Sequence, residues 1–105
     1  MQVIVHLIQL HPGTDPDTFE TWVRTIDYAA CPELPSVRAF SVQRATGTTG
    51  EPARYFEIIQ VTSHEEFEAD MRTATFEALV TDFSSMASVV QELAGVRLEP
   101  GYSAS

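Results

Sequence analysis

The order in which strand-like and helix-like apolar patterns follow one another leaves this chain few folds to choose from. Residues 2–10, QVIVHLIQL, are short and β-branched, which predicts a strand with both faces largely covered. HPGTDP is turn chemistry, with Asp15 as a helix cap and Pro16 at the first helical position, where a missing N–H costs nothing. Phe19, Trp22, Val23 and Ile26 then recur at i, i+3, i+4 and i+7. That spacing predicts a helix with one buried face, running to about residue 27. A loop, YAACPELP, leads to strands at 36–45 (SVRAFSVQRA) and 53–62 (ARYFEIIQVT), joined by the Gly-rich hairpin connection TGTTGEP. Ser63 and Glu66 form a capping box ahead of Phe67 and Met71. Helical spacing continues, with a break near residues 73–75, through Phe76, Leu79, Val80, Phe83 and Met86. A last strand is expected at about 88–98, SVVQELAGVRL, with Gly95 as its bend or bulge.

This β-α-β-β-α-β order is the ferredoxin-like α+β arrangement, a four-stranded antiparallel sheet with two helices on one face. Its 105 residues contain no linker, repeat or low-complexity stretch, so residues 1–105 form a single domain. The helices cover only one face of the sheet. Val3, Val5 and Leu7, with Val90, Ala94, Val96 and Leu98, are too apolar to leave the other face in water. The simplest cover is an identical subunit, so a homodimer through the open sheet face is predicted.

Charge narrows the partners. Six Arg and no Lys stand against fifteen acidic residues, a formal net charge of −9 that repels nucleic acid and anionic lipid. The lone Cys31 cannot form an intrachain disulfide. The opening MQVIVHLIQL lacks a basic n-region, and His6 and Gln9 interrupt its apolar run. It is expected to be neither a signal peptide nor a membrane span, and the expected location is the cytoplasm.

Signatures for phosphate, nucleotide and metal binding are missing: there is no G-x-G-x-x-G, no Walker loop, and no ligand spacing among His6, His11 and His64. If the chain is a catalyst, acid–base chemistry by side chains without a cofactor is the leading route. His6 lies mid-strand on the parity of Ile4 and Ile8, where its pKa suits a general base, although a buried His satisfied by a neighbour is the plainer alternative. Glu57 lies mid-strand with Tyr55 and Ile59 and is costly there unless paired, solvated or protonated. An ion pair with Arg38 or Arg44 is its structural alternative. Tyr55 either donates to a ligand carbonyl or faces the dimer contact. Asp27 ends the predicted helix, at the negative end of the macrodipole, a placement that costs about 0.3–1 kcal/mol at an exposed site. It either stops the helix by bonding a following N–H or, with Tyr28 and Arg24, forms a polar clamp at the mouth of a cleft. His11 and His64 are read as solvated, and Cys31 as a small loop residue.

Over nearly its whole length the chain resembles the dimeric α/β-barrel superfamily of small ferredoxin-like proteins. The stretches IVHLIQL, FETWVRTIDYAACPELPSVRAFSVQRA and RYFEIIQV resemble its RedY-like (HapK) family, with W-V-R-x-x-D-Y as the most specific motif. The resemblance implies two sheets closing a barrel and a ligand cleft between each sheet and its helices. It also implies a part in prodiginine-type pigment biosynthesis, performed on a planar pyrrole- or indole-type intermediate without a cofactor. The matching polar positions are His6, Asp27, Tyr28 and Glu57.

On that reading the heteroaromatic ligand lies among Phe19, Trp22 and Phe40, with Tyr28 and Arg24 at the mouth. His6 or Asp27 moves a proton, and Glu57 orients the imidazole or polarises water. The alternative is a non-catalytic binding or carrier protein that shields or delivers an unstable intermediate. It needs the same pocket but no proton transfer. The haem-degrading branch of the superfamily is disfavoured because Trp22, the single Trp, sits on the apolar helix face.

Overall fold

A computed structural model describes residues 1–46 and 54–104. Its strands are β1 (Gln2–Leu10), β2 (Val37–Arg44), β3 (Arg54–Val61) and β4 (Ala87–Val96), forming one antiparallel sheet in the order β2-β3-β1-β4. The expected α+β ferredoxin-like sheet is therefore present. The hairpin connection expected over TGTTGEP falls, apart from Thr46, outside the described residues.

The first helical segment departs most from expectation. Helix α1 (Pro16–Trp22) starts at the Asp15 cap, whose carboxylate accepts from the Asp17 N–H at 2.9 Å. It does not end near residue 27. A π-helical turn (Val23–Asp27), helix α2 (Tyr28–Ala30) and a 3₁₀ turn (Cys31–Glu33) continue it through the segment read as a loop. The extra residue in the π turn lets the Tyr28 N–H reach back to the Val23 carbonyl, and it rotates all that follows. The i, i+3, i+4, i+7 rule then fails at its last member. Phe19 and Val23 are buried, whereas Ile26 is 47% exposed and Asp27 turns inward.

Helices α3 (His64–Met71) and α4 (Ala74–Met86) start where the sequence indicates. The Ser63 hydroxyl accepts from the Glu66 N–H and the Thr73 hydroxyl from the Phe76 N–H, so each first turn gains a partner for an otherwise orphan donor. The break expected at 73–75 is thus the cap of α4.

The core is divided. Ile8, Leu10, Phe19, Val23, Tyr55 and Ala87 form one cluster, and Ile4, Ile59, Val61 and Phe67 form another. Between them, at the centre of the sheet, His6 interrupts Ile4 and Ile8 on β1, and Glu57 interrupts Tyr55 and Ile59 on β3. A polar pair at mid-strand keeps the two clusters from merging, because neither side chain can be buried dry without cost.

The opposite face also differs from expectation. A bulge on β4 leaves Val90 as an extra residue opposite Leu7 and Ile8, so the irregularity lies there and not at Gly95, which pairs regularly with Val3. Beyond the bulge, Ala94 and Val96 stand beside Ile4 and Gln2 on the helix-side parity. The open face is instead built from Val3, Val5 and Leu7 with Phe56, Ile58 and Leu93. Its apolar character is as predicted, with a different strand register supplying it. Among the described residues no helix is long and apolar enough to cross a membrane.

Candidate active site

The gap between the two core clusters opens into a cavity of about 740 Å³ between the sheet and the helices. Ile4, Phe40, Ile59, Phe67, Phe76 and Phe83 supply much of its wall, with Trp22, Leu34 and Leu79 among the other apolar lining residues. His6, Glu57 and Glu92 from the strands and Asp27 from the first helical segment bring ionisable groups to it, so the three residues read from sequence as carrying chemistry do share one site. Trp22 and Phe40 also line it, as expected for ligand-contacting aromatics. The Trp22 indole N–H donates to the Asp82 carboxylate at 3.2 Å, which fixes the ring.

His6 is held from both sides. Its Nδ1–H donates to Glu57 Oε2 and its Nε2–H to Glu92 Oε2, each at 2.6 Å. Glu57 and Glu92 are the register partners of His6 on the two flanking strands, so the sheet itself aligns the three side chains. Carboxylates only accept, so the bridge is complete on both sides when both ring nitrogens carry a proton, and the two acids favour that imidazolium form. The bond to Glu57 is the main reason that the His6 pKa is raised; burial opposes it, and Glu92 reinforces it. The ion pair considered between Glu57 and Arg38 or Arg44 does not occur. His6 is the partner of Glu57.

Asp27 is different. It hydrogen-bonds to none of these groups, and its carboxyl projects among apolar residues from the π turn. Burial, and then the nearby charge of Glu57, lift its pKa from 3.8 to about 7. The same surroundings raise the Cys31 thiol through burial and the charge of Asp27. The cavity thus contains one fixed imidazolium between carboxylates and one carboxyl poised to exchange its proton near neutrality.

The clamp expected from Asp27, Tyr28 and Arg24 does not form. Adjacent positions on a helix point in different directions, and here they point into different spaces. Arg24, Tyr28 and Tyr55 line a separate hollow of about 120 Å³ beside β2, together with Glu20 and Arg44. Tyr28 accepts the Val42 N–H at 3.0 Å and meets the Phe40 ring edge-on, closing the free edge of the sheet. Arg24 reaches back one turn to Glu20 at 3.5 Å. Tyr55 is buried, and its hydroxyl donates to Glu20 Oε2 at 2.6 Å, beside Arg44, which grips the same carboxylate at 2.6 and 2.8 Å. Arg44, and then Tyr55, hold the Glu20 carboxyl down at about 2; burial, and then the bond to Glu20, push the Tyr55 hydroxyl up to about 12 against the opposing charge of Arg44. Tyr55 therefore faces neither a ligand in the main cavity nor the open sheet face. Phe19 is likewise core rather than lining, packed against Trp22, Tyr55 and Phe83.

Glu92 escaped the reading of the sequence. An acid in SVVQELAGV was visible, but the Val90 bulge, which sets the face it occupies, was not. His11 and His64, read as solvated, border the cavity, with His11 2.8 Å from the Ser88 hydroxyl and His64 4.0 Å from Glu68. Among the described residues no group of three or more His, Cys, Asp and Glu is arranged to hold a metal ion.

The family model for the RedY-like protein HapK matches residues 2–98. The crystal structure of HapK from Hahella chejuensis is 48% identical, each chain covers 100% of the other, and the TM-score is 0.92. The chain belongs to the RedY-like HapK family. Among more distant structures, SnoaB of Streptomyces nogalater, a cofactor-independent oxygenase, superposes with a TM-score of 0.76 at 16% identity, over 94% of each chain. A dimeric ferredoxin-like protein from Thermobifida fusca follows at 14% identity and a TM-score of 0.63, over 90% of this chain and 88% of its own. At such identities these two share the fold alone. No curated protein matches the chain. It is the sheet and the first helical segment of this chain that bring the His6–Glu57–Glu92 bridge and Asp27 to the cavity.

Proposed function

We propose that this RedY-like protein is a cofactor-independent enzyme of antibiotic or pigment biosynthesis, of the prodiginine type, acting on a planar heteroaromatic intermediate. The observation that carries the reading is Asp27: a carboxyl aimed into a largely apolar cavity and balanced near pH 7. A group so balanced accepts and returns a proton with little driving force lost in either direction. His6 is too tightly held to be the exchanging base. It neutralises Glu57 and fixes that carboxylate in place, so that Glu57 orients a ligand N–H or a water while Asp27 moves the proton. Acid–base help of this kind is typically worth about 10²–10⁴-fold, which suffices for an already reactive intermediate. The kinship with HapK and the presence of a cofactor-independent oxygenase on the same fold support this reading. The protein acts as a homodimer through the open sheet face, where Val5, Leu7, Phe56, Ile58 and Leu93 form an apolar patch.

The test is metabolite profiling in a pigment-producing strain lacking its own RedY-like protein. The strain is complemented with wild type, His6→Ala, Asp27→Asn or Glu57→Gln, each confirmed as folded by circular dichroism. Asp27→Asn should leave the same intermediate to accumulate as the deletion does. If all three variants restore product, the proton-transfer role is wrong and the carrier role takes its place.

A further inference from the structure

The polar groups of the cavity are unbalanced in sign. Asp27, Glu57 and Glu92 contribute three carboxyl groups, against the single fixed cation of His6. The other titratable groups at its border are His11, His64 and Cys31. None of the six arginines lines it. Arg24 and Arg44 are drawn to Glu20 on the far side of α1, and Arg97 lies against Gln60, Glu99 and the Pro100 carbonyl. The chain thus keeps all six of its arginines out of the pocket, while Trp22, Phe40, Phe67, Phe76 and Phe83 give it an aromatic wall.

Each half of this arrangement selects something. Aromatic walls and a volume of about 740 Å³ fit a planar ring system of two or three rings. Ring faces attract cations, and carboxylates reward a charged or N–H-bearing edge with charge-assisted hydrogen bonds. An anionic ligand finds no guanidinium, only the hydroxyls of Ser84 and Ser88 and the rings of His11 and His64, because the His6 N–H groups are already committed to Glu57 and Glu92, and it must approach like charges across a low-dielectric cavity. We infer that the cavity takes a nitrogen heterocycle that presents N–H donors, binds it best as a cation, and excludes its carboxylate-bearing relatives. This rests on the cavity being the ligand site, as proposed above. It adds the charge class of the ligand, which neither the fold nor the family match supplies. By the same chemistry, a carboxylated precursor must lose or mask its acid in a preceding reaction before it enters.

The experiment is calorimetric titration of the full-length protein with three matched bicyclic probes: 4-aminoquinolinium, neutral quinoline and quinoline-4-carboxylate. The cation should bind tightest, by about tenfold over the neutral ring for one charge-assisted contact, and the carboxylate weakest. 4-Aminoquinoline stays protonated across neutral pH, so any pH dependence belongs to the protein. Its affinity should rise as pH passes through about 7, where Asp27 ionises. His6, His11 and His64 face the same cavity, so Asp27→Asn, which keeps the shape of the side chain, must weaken that rise for Asp27 to be its source. Equal binding of the three probes, or tighter binding of the carboxylate, overturns the charge inference and leaves the cavity standing as a binding site. No binding of any probe overturns both.

Discussion

Glu57 and Glu92 accept hydrogen bonds from opposite nitrogens of one imidazole, each at 2.6 Å, across three adjacent strands. The two are not equivalent. The Glu57 side chain is 13% exposed and that of Glu92 61%, so the first bond is formed in a lower dielectric. Glu57→Gln should therefore lower the His6 pKa more than Glu92→Gln does, and both should lower it relative to wild type. NMR titration of the His6 ring protons measures this directly. An unchanged His6 pKa in Glu57→Gln contradicts the bridge.

The same bridge sets a direction for stability. The folded pKa of His6 is raised above 6.5, so its contribution is fully present below that value and is lost as pH rises through the folded pKa. Asp27 acts in the same direction for a different reason. The unfolded chain releases the Asp27 proton near 3.8, whereas the fold retains it to about 7, so between those values the native state binds more protons and stability falls as pH rises. Asp27→Asn removes that penalty. It should stabilise the protein at about pH 8 by about 1–3 kcal/mol once solvent screening at the open cavity is counted, with little gain at about pH 4. Chemical denaturation at the two pH values measures it. A variant that gains stability while losing turnover is the pattern expected of an acid kept for function at the cost of the fold.

Tyr55 offers a test of the separation between cavity and hollow. Its hydroxyl donates to Glu20, not to the ligand space. Tyr55→Phe should cost about 1.5–3 kcal/mol, the usual range for a hydrogen bond to a charged group, and should leave ligand affinity in the main cavity unchanged. A large change in affinity with stability intact would return Tyr55 to the site.

Element order and two of the caps were legible because they depend on local chemistry: Asp15 with Pro16 and Ser63 with Glu66 each act within one turn of the chain, whereas at Thr73 only a break was read. His6, Asp27 and Glu57 were legible as polar groups in places that penalise them, and the fold brings all three to one cavity. Two insertions hid the rest. The π turn at Val23–Asp27 and the bulge at Val90 each add one residue, and periodicity read from sequence carries no mark of where a period slips. The first slip turned Ile26 out and Asp27 in, so that Asp27 is not a terminal residue at all but lies within continuous helical structure. The puzzle of an acid at a helix end thus dissolves into that of an acid facing a cavity. The second slip moved Ala94 and Val96 off the open face, put Leu93 on it and brought Glu92 to His6. Phe19, Tyr28 and Tyr55 were misplaced because a single sequence does not distinguish an aromatic that lines a pocket from one that closes the core or a sheet edge.

The homodimer is tested at Leu93. That side chain is 57% exposed in the single chain and stands beside Val5, on the face it shares with Val3, Leu7, Phe56 and Ile58. A contiguous apolar face of this kind is unfavourable in water unless something covers it, and a two-fold axis through the patch brings each Leu93 against the same surface of its partner. Wild-type protein should be a dimer by light scattering at micromolar concentration. Leu93→Glu puts a charge on each side of that contact, where burial leaves it unpaired, and it should shift the protein to monomer. Because Leu93 points away from the helix face, the His6 titration should survive in the monomer, provided that the His6 bridge is built within one chain. A wild-type monomer at that concentration sinks the dimer. A Leu93→Glu protein that still dimerises shows that a different surface does the pairing.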